Sequence, residues 1–210
     1  MAKKIKKENK TSNKANNLCS FSEHKYKICV SGAAELGCCS PNIKELGEAL
    51  GKEIVEQGCV LLTGATTGVP YYAARGAKKA GGVSIGFSPA GSEREHTQTY
   101  KLPTDYFDLI VYTGFDYVGR NLILTKSADG VIIVCGRTGT LNEFTIAFET
   151  RTPVGVLQGS GGTADLIEPV LSKGYRPKTT IVYDTDPKKL VEKLIKAIVA
   201  EQRKNFQKRS

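Results

Sequence analysis

The sequence lacks any apolar run approaching the roughly 18 residues that a membrane-spanning helix needs. The basic N-terminus is also followed by no hydrophobic segment of the secretory type. These absences exclude a membrane-spanning protein and predict a soluble, cytoplasmic one. Histidine is scarce as well, because the chain has only His24 and His96, and each stands alone in the sequence. A histidine-based metal site is therefore not expected.

Positive charge is concentrated at the two ends of the chain. The net charge is +9, of which residues 1–17 carry +5 and residues 201–210 carry +3. Lys-rich and Asn-rich segments with few apolar residues are typical of disordered, solvated tails. We therefore expect a basic tail at residues 1–25, one folded domain over residues 26–200, and a basic tail at residues 201–210. The folded part is nearly neutral, so nucleic acid is not an expected partner.

Six cysteines are spread along the chain. Cys29, Cys59 and Cys135 fall in predicted strands, where a thiol behaves as a small buried hydrophobe, so we expect no disulfide. The neighbours Cys38 and Cys39 lie in a predicted loop and are open to two interpretations, a redox-active pair or ligands for a soft metal. No other ligand cluster accompanies them in the sequence, and we predict no metal site.

Predicted strands and helices alternate along the chain, which is typical of a parallel sheet with helices in its crossovers. The strands are KYKICVSG, CVLLTG, VSIGFSP, DLIVYTG, DGVIIVCG, PVGVLQG and TTIVYD, and the helices are predicted at residues 41–57, 70–80, 121–127 and 141–149, after Thr163 and from Pro187. Ser40-Pro41 and Asp186-Pro187 are each typical of a helix cap followed by proline at the first helical position. The sequence thus predicts a single doubly wound, Rossmann-like α/β domain with a parallel sheet flanked by helices.

Ligands of a doubly wound sheet bind beyond the carboxyl ends of its strands. Four segments that follow predicted strands carry glycine, hydroxyl groups or a cation: Ser31-Gly32 and residues 64–68, 114–120 and 136–140. None of them has the GxGxxG or GxxxxGK[ST] spacing, so neither an ordinary dinucleotide site nor a phosphate-loop NTPase is supported. A mononucleotide, or a cofactor that bears a phosphate, fits this edge better.

The most informative segment is VIIVCGRTGTLNEF, residues 131–144. Its β-branched run suits a central strand, and Gly136 and Gly139 let the following backbone approach a ligand closely. The unpaired amides in the first turn of the next helix then favour an anion. We predict phosphate or nucleotide binding by Ser31, Gly32, Gly64, Gly68, Gly136, Arg137, Thr138, Gly139 and Thr140.

The segments TGATTG, GRNLILTKSAD and CGRTGTLNE resemble the Lonely guy (LOG) family. The wider superfamily comprises Rossmann-like nucleotide-binding proteins, among them DprA-related proteins, molybdenum cofactor carriers and proteins once misdescribed as lysine decarboxylases. The resemblance implies a phosphoribohydrolase that needs no cofactor and converts nucleoside 5′-monophosphates to free base and ribose 5-phosphate, with Arg120 and Glu143 as catalytic residues. The alternative is a non-catalytic carrier or sensor of a nucleotide or phosphate-bearing cofactor. In either case it implies a homodimer or a higher homo-oligomer.

The chain departs from the family motif PGGxGTxxE at two positions. Cys135 stands where the motif has proline, and Arg137 stands where it has the second glycine. If the Arg137 backbone required a positive φ, a non-glycine residue would be strained there; otherwise its guanidinium can reach the pocket as a further phosphate contact. Arg120 and Glu143 favour an enzyme, whereas the two changed positions favour a carrier. No lysine lies in the predicted site, which excludes a pyridoxal-dependent decarboxylase.

Several candidates also have a purely structural interpretation. Thr140 and Glu143 have the spacing of a capping box, in which each side chain bonds a backbone amide of the same helix start. Arg120 can be a solvated helix-start cation or can pair with a carboxylate such as Asp116.

Two tyrosines open the second predicted helix. Tyr71 and Tyr72 can stack on a purine, but tyrosines near a helix start more often fill the edge of the core, and we favour that interpretation.

Overall fold

The computed structural model describes residues 26–173 and 179–207. The seven predicted strands are present as β1 (Lys27–Gly32), β2 (Val60–Thr63), β3 (Ser84–Ser88), β4 (Leu109–Tyr112), β5 (Gly130–Val134), β6 (Val154–Leu157) and β7 (Ile181–Asp184). They form one sheet in the order β4-β3-β2-β1-β5-β6-β7, and every neighbouring pair is parallel. The predicted Rossmann-like α/β fold is confirmed. The predicted tail at residues 1–25 lies outside the described residues.

The order of the strands reverses at β1. The strands β2 to β4 are added on one side of β1, and β5 to β7 are added on the other. In the register of the sheet, Cys29 of β1 lies between Leu62 of β2 and Val131 of β5. Because the segments after β1 and β5 part in opposite directions, a crevice forms between them at the carboxyl edge of the sheet.

Helices cover both faces of the sheet. The described α-helices are α1 (Ile43–Glu56), α2 (Val69–Lys79), α3 (Asp116–Ser127), α4 (Thr138–Thr150), α5 (Gly162–Ser172) and α6 (Pro187–Gln207). On one face α1 packs against α2 and α6, and on the other α4 packs against α3 and α5. A 3-10 turn at Leu36–Cys38 and a π-helical turn at Glu95–Thr99 lie in the loops.

Alternate strand residues pack into two separate apolar layers. Ile28 and Ile132 are buried with residues of α1, α2 and α6, whereas Cys29 and Val131 are buried with residues of α3, α4 and α5. Since both faces of the sheet are covered, its central strands are apolar at nearly every position. This explains the unbroken apolar run before Cys135 in the sequence.

The starts of three helices differ from the predicted ones. The structure places them at Ile43 instead of Pro41, at Asp116 instead of Asn121, and at Thr138 instead of Leu141. Ser40 is not a cap, because its Oγ is buried and makes no hydrogen bond to the described residues. The predicted cap of α6 is confirmed, because Asp186 Oδ1 accepts a hydrogen bond from the Lys189 amide at 2.9 Å. Local propensity marks helix ends poorly when packing against a sheet extends the helix.

The last helix reaches further than the sequence predicted. α6 continues through Gln207, so the predicted C-terminal tail is helical over residues 201–207. Its cations Arg203 and Lys204 are exposed, as expected for a basic segment. Among the described residues, no helix combines the length and the apolar character needed to cross a bilayer.

Candidate functional site

A cavity of about 240 Å³ opens at the carboxyl edge of the sheet, between the segments that follow β1 and β5. The structure brings six of the predicted site residues to its wall: Gly32, Arg120, Arg137, Gly139, Thr140 and Glu143. They belong to the end of β1, to α3 and to the turn and first helical turns after β5. The reversal of strand order at β1 is what places these three segments around one space.

A second cavity, of about 30 Å³, shares Arg120 and Glu143 with the first one. Ser31 and Gly64, which do not line the larger cavity, line this smaller one. The two spaces therefore flank the same buried arginine and glutamate. These two side chains form the polar centre of the site.

Three of the predicted residues line neither cavity, namely Gly68, Gly136 and Thr138. The two glycines shape the adjoining turns instead. Gly68 has a φ of +71°, and a Cβ on it would lie 2.2 Å from the Ala33 carbonyl oxygen. Gly136 has a φ of +95°, and its Cβ would lie 2.4 Å from the side chain of Thr140. Both positions thus require glycine for backbone geometry and close packing.

The N-terminus of α4 meets the cavity without a side-chain cap. Its N-cap residue is Arg137, which makes no capping hydrogen bond. Thr140 lies inside the helix rather than before it. The Glu143 carboxylate accepts a hydrogen bond from Ser31 of β1 rather than from an amide at the start of α4. The capping-box interpretation is therefore wrong. Because Gly139 and Thr140 line the cavity, the first-turn amides, which have no acceptor within the helix, are placed to bind an anion there.

Glu143 is buried, with 7% of its surface exposed. Its Oε2 accepts a hydrogen bond from Ser31 Oγ, which joins α4 to β1. Burial raises the pKa of the Glu143 carboxyl above its ordinary value, while the positive charge of Arg120 and the Ser31 hydrogen bond oppose this rise. A carboxyl whose pKa is raised in a cavity is suited to hold or accept a proton during a reaction.

Arg120 is equally buried, with 5% exposed. Its Nη1 donates hydrogen bonds to the carbonyl oxygens of Gly64 at 2.5 Å and Phe87 at 3.3 Å. Its Nε is buried without a hydrogen-bond partner among the described residues. The predicted pairing with Asp116 is not observed, since Asp116 accepts a hydrogen bond from the Tyr100 hydroxyl at 2.5 Å instead. Arg120 is thus a buried cation that is held by two backbone carbonyl oxygens.

Arg137 supplies an exposed cation at the mouth of the cavity. Its φ of −123° is an extended conformation, so the strained alternative does not apply. The side chain is 56% exposed, and its Nη1 forms an ion pair with Glu35 at 2.8 Å. Arg137 and Glu35 both line the cavity. A phosphate contact by the guanidinium, the other alternative from the sequence, stays a prediction.

Six residues of the cavity wall were not named as site residues from the sequence: Ala33, Ala34, Glu35, Thr66, Tyr117 and Asn121. Thr66 and Tyr117 do lie within two of the segments predicted at this edge, residues 64–68 and 114–120. Tyr117 and Asn121 lie three residues before and one residue after Arg120 on α3. Helix periodicity would have placed Tyr117 on the face of Arg120 if the predicted helix had begun early enough. The Tyr117 ring lies 5.6 Å from the Arg120 guanidinium carbon. No local sequence pattern indicated Glu35, because its ion-pair partner, Arg137, is 102 residues away in the sequence.

Tyr71 and Tyr72 do not line the cavity. The Tyr71 hydroxyl donates to Asp105 at 2.8 Å, and its ring contacts Tyr72 and Tyr106 edge to face. The hydrogen bond to Asp105 raises the pKa of Tyr71 to about 12. The structure thus places both tyrosines away from the cavity, with Tyr71 in a side-chain cluster of its own.

The prediction that the chain forms no disulfide is wrong. Cys135 lies one residue beyond β5, and its sulfur is bonded to Cys39 across 96 residues of sequence. Its φ of +50° is one that proline cannot adopt, so this backbone differs from that of a motif with proline at the same position. The Sγ atoms of Cys38, Cys39 and Cys135 all lie within 4.8 Å of one another. The sequence did not predict that Cys135 lies beside Cys38 and Cys39, because Cys135 was assigned to a strand.

The family of the chain follows from comparison with known proteins. The model of the SLOG cluster4 family matches residues 25–191, which include every residue of the two cavities. The chain belongs to the SLOG cluster4 family. The LOG-like, Rossmann-type relationship expected from the sequence motifs is thereby confirmed. An uncharacterised protein of Archaeoglobus fulgidus is 29% identical over 150 residues, which are 71% of this chain and 87% of that protein.

Two solved structures give this SLOG cluster4 member further context. The molybdenum cofactor binding protein of Rippkaea orientalis is 32% identical with a TM-score of 0.68, covering 85% of this chain and 99% of its own. The molybdenum cofactor carrier protein of Chlamydomonas reinhardtii is 28% identical with a TM-score of 0.65, covering 84% and 99%. The chain thus spans nearly the whole of both proteins.

The close approach of Arg120 to Gly64 gives a first testable prediction. A Cβ at Gly64 would lie 1.8 Å from Arg120 Nη1, so Gly64→Ala must displace the guanidinium or the loop. We expect a loss of about 2 kcal/mol in the free energy of unfolding, measured by urea denaturation. The matched control is Gly37→Ala, because a Cβ there meets nothing within 4 Å. Equal stability of the two variants would contradict the requirement for glycine at position 64, beside Arg120.

The raised pKa of Glu143 gives a second prediction, on pH. The folded state holds this proton more tightly than the unfolded chain, whose carboxyl has an ordinary pKa of 4.5. The resulting stabilisation is complete below that value and is lost as the pH rises through the folded pKa, with a slope of at most about 1.4 kcal/mol per pH unit. Glu143→Gln cannot titrate. We therefore expect the stability of the variant relative to the native protein to increase with pH above 4.5, in urea denaturation between about pH 4 and pH 8. Parallel pH profiles would contradict this prediction.

Proposed function

We propose that this protein binds a small phosphate-bearing ligand in the cavity at the end of β1 and β5. The supporting observation is the uncapped N-terminus of α4, which meets the cavity at Gly139 and Thr140 beside the Arg137 guanidinium. Helix-terminal amides and an arginine fork are complementary to phosphate oxygens. The amides of Gly139 and Thr140 and the Thr140 hydroxyl would hold the phosphate. Arg137 would exchange its ion pair with Glu35 for one with the ligand.

The ligand class that we propose is a molybdenum cofactor, which the protein would carry as cargo. Similarity to the Rippkaea orientalis and Chlamydomonas reinhardtii proteins supports this choice. The cavity wall also fits a flat heterocycle that bears a phosphate. Tyr117 lines the cavity with 46% of its surface exposed, and Glu143 and Arg120 line the same space with a carboxyl and a guanidinium for polar ring atoms.

The test is equilibrium binding of isolated molybdenum cofactor, AMP, ribose 5-phosphate and inorganic phosphate to the native protein. Binding of the cofactor in preference to the other three is the expected result. Arg137→Gln should weaken it about tenfold, because a charged hydrogen bond is lost. The control is Arg203→Gln, an exposed cation near the end of α6, at the opposite edge of the sheet. Failure of the cofactor to bind, or equal weakening by both substitutions, would contradict the proposal.

Hydrolysis of a nucleoside 5′-monophosphate is the second candidate function, and Glu143 is the observation that favours it. Breaking an N-glycosidic bond builds positive charge on the ribose ring, which an adjacent carboxylate stabilises. Glu143 would supply this carboxylate or activate water, and Arg120 would assist the departing base from its own side of the cavity. Ser31 would orient the carboxyl through its hydrogen bond.

Release of ribose 5-phosphate separates the two candidates. A panel of nucleoside monophosphates is incubated with the native protein and with Glu143→Gln, a substitution that keeps the shape of the side chain and removes its charge. Release by the native protein that falls about 10²- to 10⁴-fold in the variant, with AMP binding retained, would make Glu143 catalytic. No release from any nucleotide, with cofactor binding intact, supports the carrier.

The family resemblance implies a homodimer or a higher homo-oligomer, and we further propose that the subunits meet through the start of α3. Phe115, Val118 and Leu122 lie on one side of α3 and are 65%, 73% and 47% exposed. An exposed apolar face of this kind is typical of an interface between subunits. We expect Val118→Asp to lower the mass measured by light scattering to that of a monomer, whereas Leu166→Asp on α5, also at an exposed apolar residue, should not. An unchanged mass in Val118→Asp would overturn this arrangement.

A further inference from the structure

Three sulfur atoms lie close together beside the turn between β5 and α4. The Cys39–Cys135 disulfide joins the loop after β1 to the turn after β5. Cys38 carries a free, exposed thiol, and its Sγ lies 3.6 Å from Cys135 Sγ. Cys135 is fully buried. The bond that links the two walls of the cavity is therefore shielded on its Cys135 side and in contact with an accessible thiol.

The surroundings of Cys38 suit an attacking sulfur. Interaction with the Cys38 and Glu35 side chains raises the pKa of Arg137 above its ordinary value, which is consistent with a guanidinium close to the Cys38 sulfur. Thiol–disulfide exchange proceeds through a thiolate, and negative charge passes among the three sulfurs during the reaction. A cation next to this cluster offsets that charge. Arg137 stands where the family motif has its second glycine, and it thus places a positive charge near the three sulfurs.

The backbone holds the three cysteines together independently of the disulfide. Cys39 forms an isolated β-bridge with Gly161. The Cys135 amide donates to Ser160 Oγ at 2.8 Å, and Ser160 also accepts the Ser40 amide at its carbonyl oxygen, at 2.9 Å. Both cysteine-bearing segments are therefore attached to the loop after β6. The sulfurs remain neighbours when the bond between them is broken.

We propose that Cys38, Cys39 and Cys135 form a thiol–disulfide exchange site, in which the exposed Cys38 opens the shielded Cys39–Cys135 bond to reduction by an external dithiol. In the first step Cys38 gives up its proton and its Sγ bonds to Cys135 Sγ. The Cys39–Cys135 bond breaks, and Cys39 Sγ leaves with the electron pair and takes up a proton. The number of disulfides is unchanged, and the remaining bond now includes the exposed sulfur.

The second step uses the external dithiol as the reductant. One of its thiolates attacks Cys38 Sγ, and Cys135 Sγ leaves with the electron pair and is protonated. The second thiol of the reductant then displaces Cys38 from the mixed disulfide. The reductant becomes a disulfide, and the chain gains two electrons and two protons. Direct attack from solvent on Cys135 Sγ is hindered by the burial of Cys135. Direct attack on Cys39 Sγ, which is only partly buried, is the competing route, and it would leave the rate of reduction unchanged in Cys38→Ser.

The proposal is tested by disulfide mapping and by the rate of reduction. Cys39→Ser leaves Cys38 as the nearest sulfur to Cys135. After incubation with oxidised glutathione, which accepts the two electrons, we expect mass spectrometry under non-reducing conditions to find a Cys38–Cys135 crosslink. Cys38→Ser keeps the original crosslink, and we expect dithiothreitol to reduce it more slowly than in the native protein, by about tenfold or more. Gly37→Ala, at an open position of the same turn, should be reduced at the native rate. A missing crosslink in Cys39→Ser, or native-rate reduction of Cys38→Ser, would overturn the proposal.

A link to the cavity rests on the proposed function and is tested separately. Residues 33–35, which line the cavity, lead directly into the turn that the disulfide holds. We expect the reduced native protein to bind AMP more weakly than the oxidised protein, because one wall is no longer fixed. Mapping and reduction rates need no ligand. A failure of the exchange site is therefore distinguishable from a failure of the ligand-binding function.

Discussion

Arg120→Met is expected to lower the free energy of unfolding at pH 7 by about 3 kcal/mol. The methionine matches the length of the side chain but removes the hydrogen bonds to the carbonyl oxygens of Gly64 and Phe87. It also leaves the buried Glu143 without the positive charge that opposes its raised pKa. Burial without compensation is expensive for a carboxylate, so most of the loss should come from Glu143.

A double substitution tests this assignment. Urea denaturation is measured for Arg120→Met, Glu143→Gln and the double variant, all at pH 7. If the uncompensated carboxylate causes the loss, Glu143→Gln should recover about 1 kcal/mol or more in the Arg120→Met background. Additive effects would show that Arg120 and Glu143 do not interact. Loss of the two hydrogen bonds to the Gly64 and Phe87 carbonyl oxygens would then by itself explain the lower stability of Arg120→Met.

Reduction of the Cys39–Cys135 bond is expected to have an effect of similar size. The bond closes a loop across 96 residues, which restricts the unfolded chain. On the chain-entropy account, a loop of this length contributes up to about 4.7 kcal/mol, and measured values are commonly about 2–4 kcal/mol. For a chain of this size each kilocalorie shifts the melting temperature by about 2–4 °C, so we expect a decrease of about 10 °C in Tm on full reduction.

Thermal unfolding of the oxidised and the fully reduced protein provides the measurement. Cys38→Ser is the matched control, because it removes the third sulfur and keeps the crosslink. Its melting temperature should equal that of the native protein when oxidised and should fall by the same amount when reduced. A reduced native protein that melts at the oxidised temperature would show that the crosslink does not stabilise the fold.

The sequence predicted the site best where the signal is local. The run before Cys135, the glycines at 136 and 139 and the spacing to Glu143 lie within one segment, and they led to the correct strand, turn and helix. The helix starts were less accurate, because a few weak residues at a helix end are overridden by packing. That error hid Tyr117, which the early start of α3 places on the cavity.

The contacts that give the site its chemistry join residues far apart in sequence. Ser31 and Glu143 are 112 residues apart, and so neither their hydrogen bond nor its effect on the pKa of Glu143 could be inferred from spacing. The capping box was the better local interpretation, and it was wrong because Glu143 lies inside α4 and faces β1. Likewise, the ion pair of Arg137 with Glu35 crosses 102 residues.

Local patterns in the sequence predicted the alternating strands and helices and the glycine turn that opens α4, and the resemblance to the LOG family pointed to Arg120 and Glu143. Periodicity, apolar runs and turn residues act over a few neighbours, so they can be recognised without knowledge of the fold. The three-dimensional structure was needed to show that Glu143 bonds Ser31, that Arg120 is held against Gly64, and that Cys39 is joined to Cys135. The reason is physical: these partners become neighbours only when β1 and β5 pair in register and bring two distant loops to one edge of the sheet.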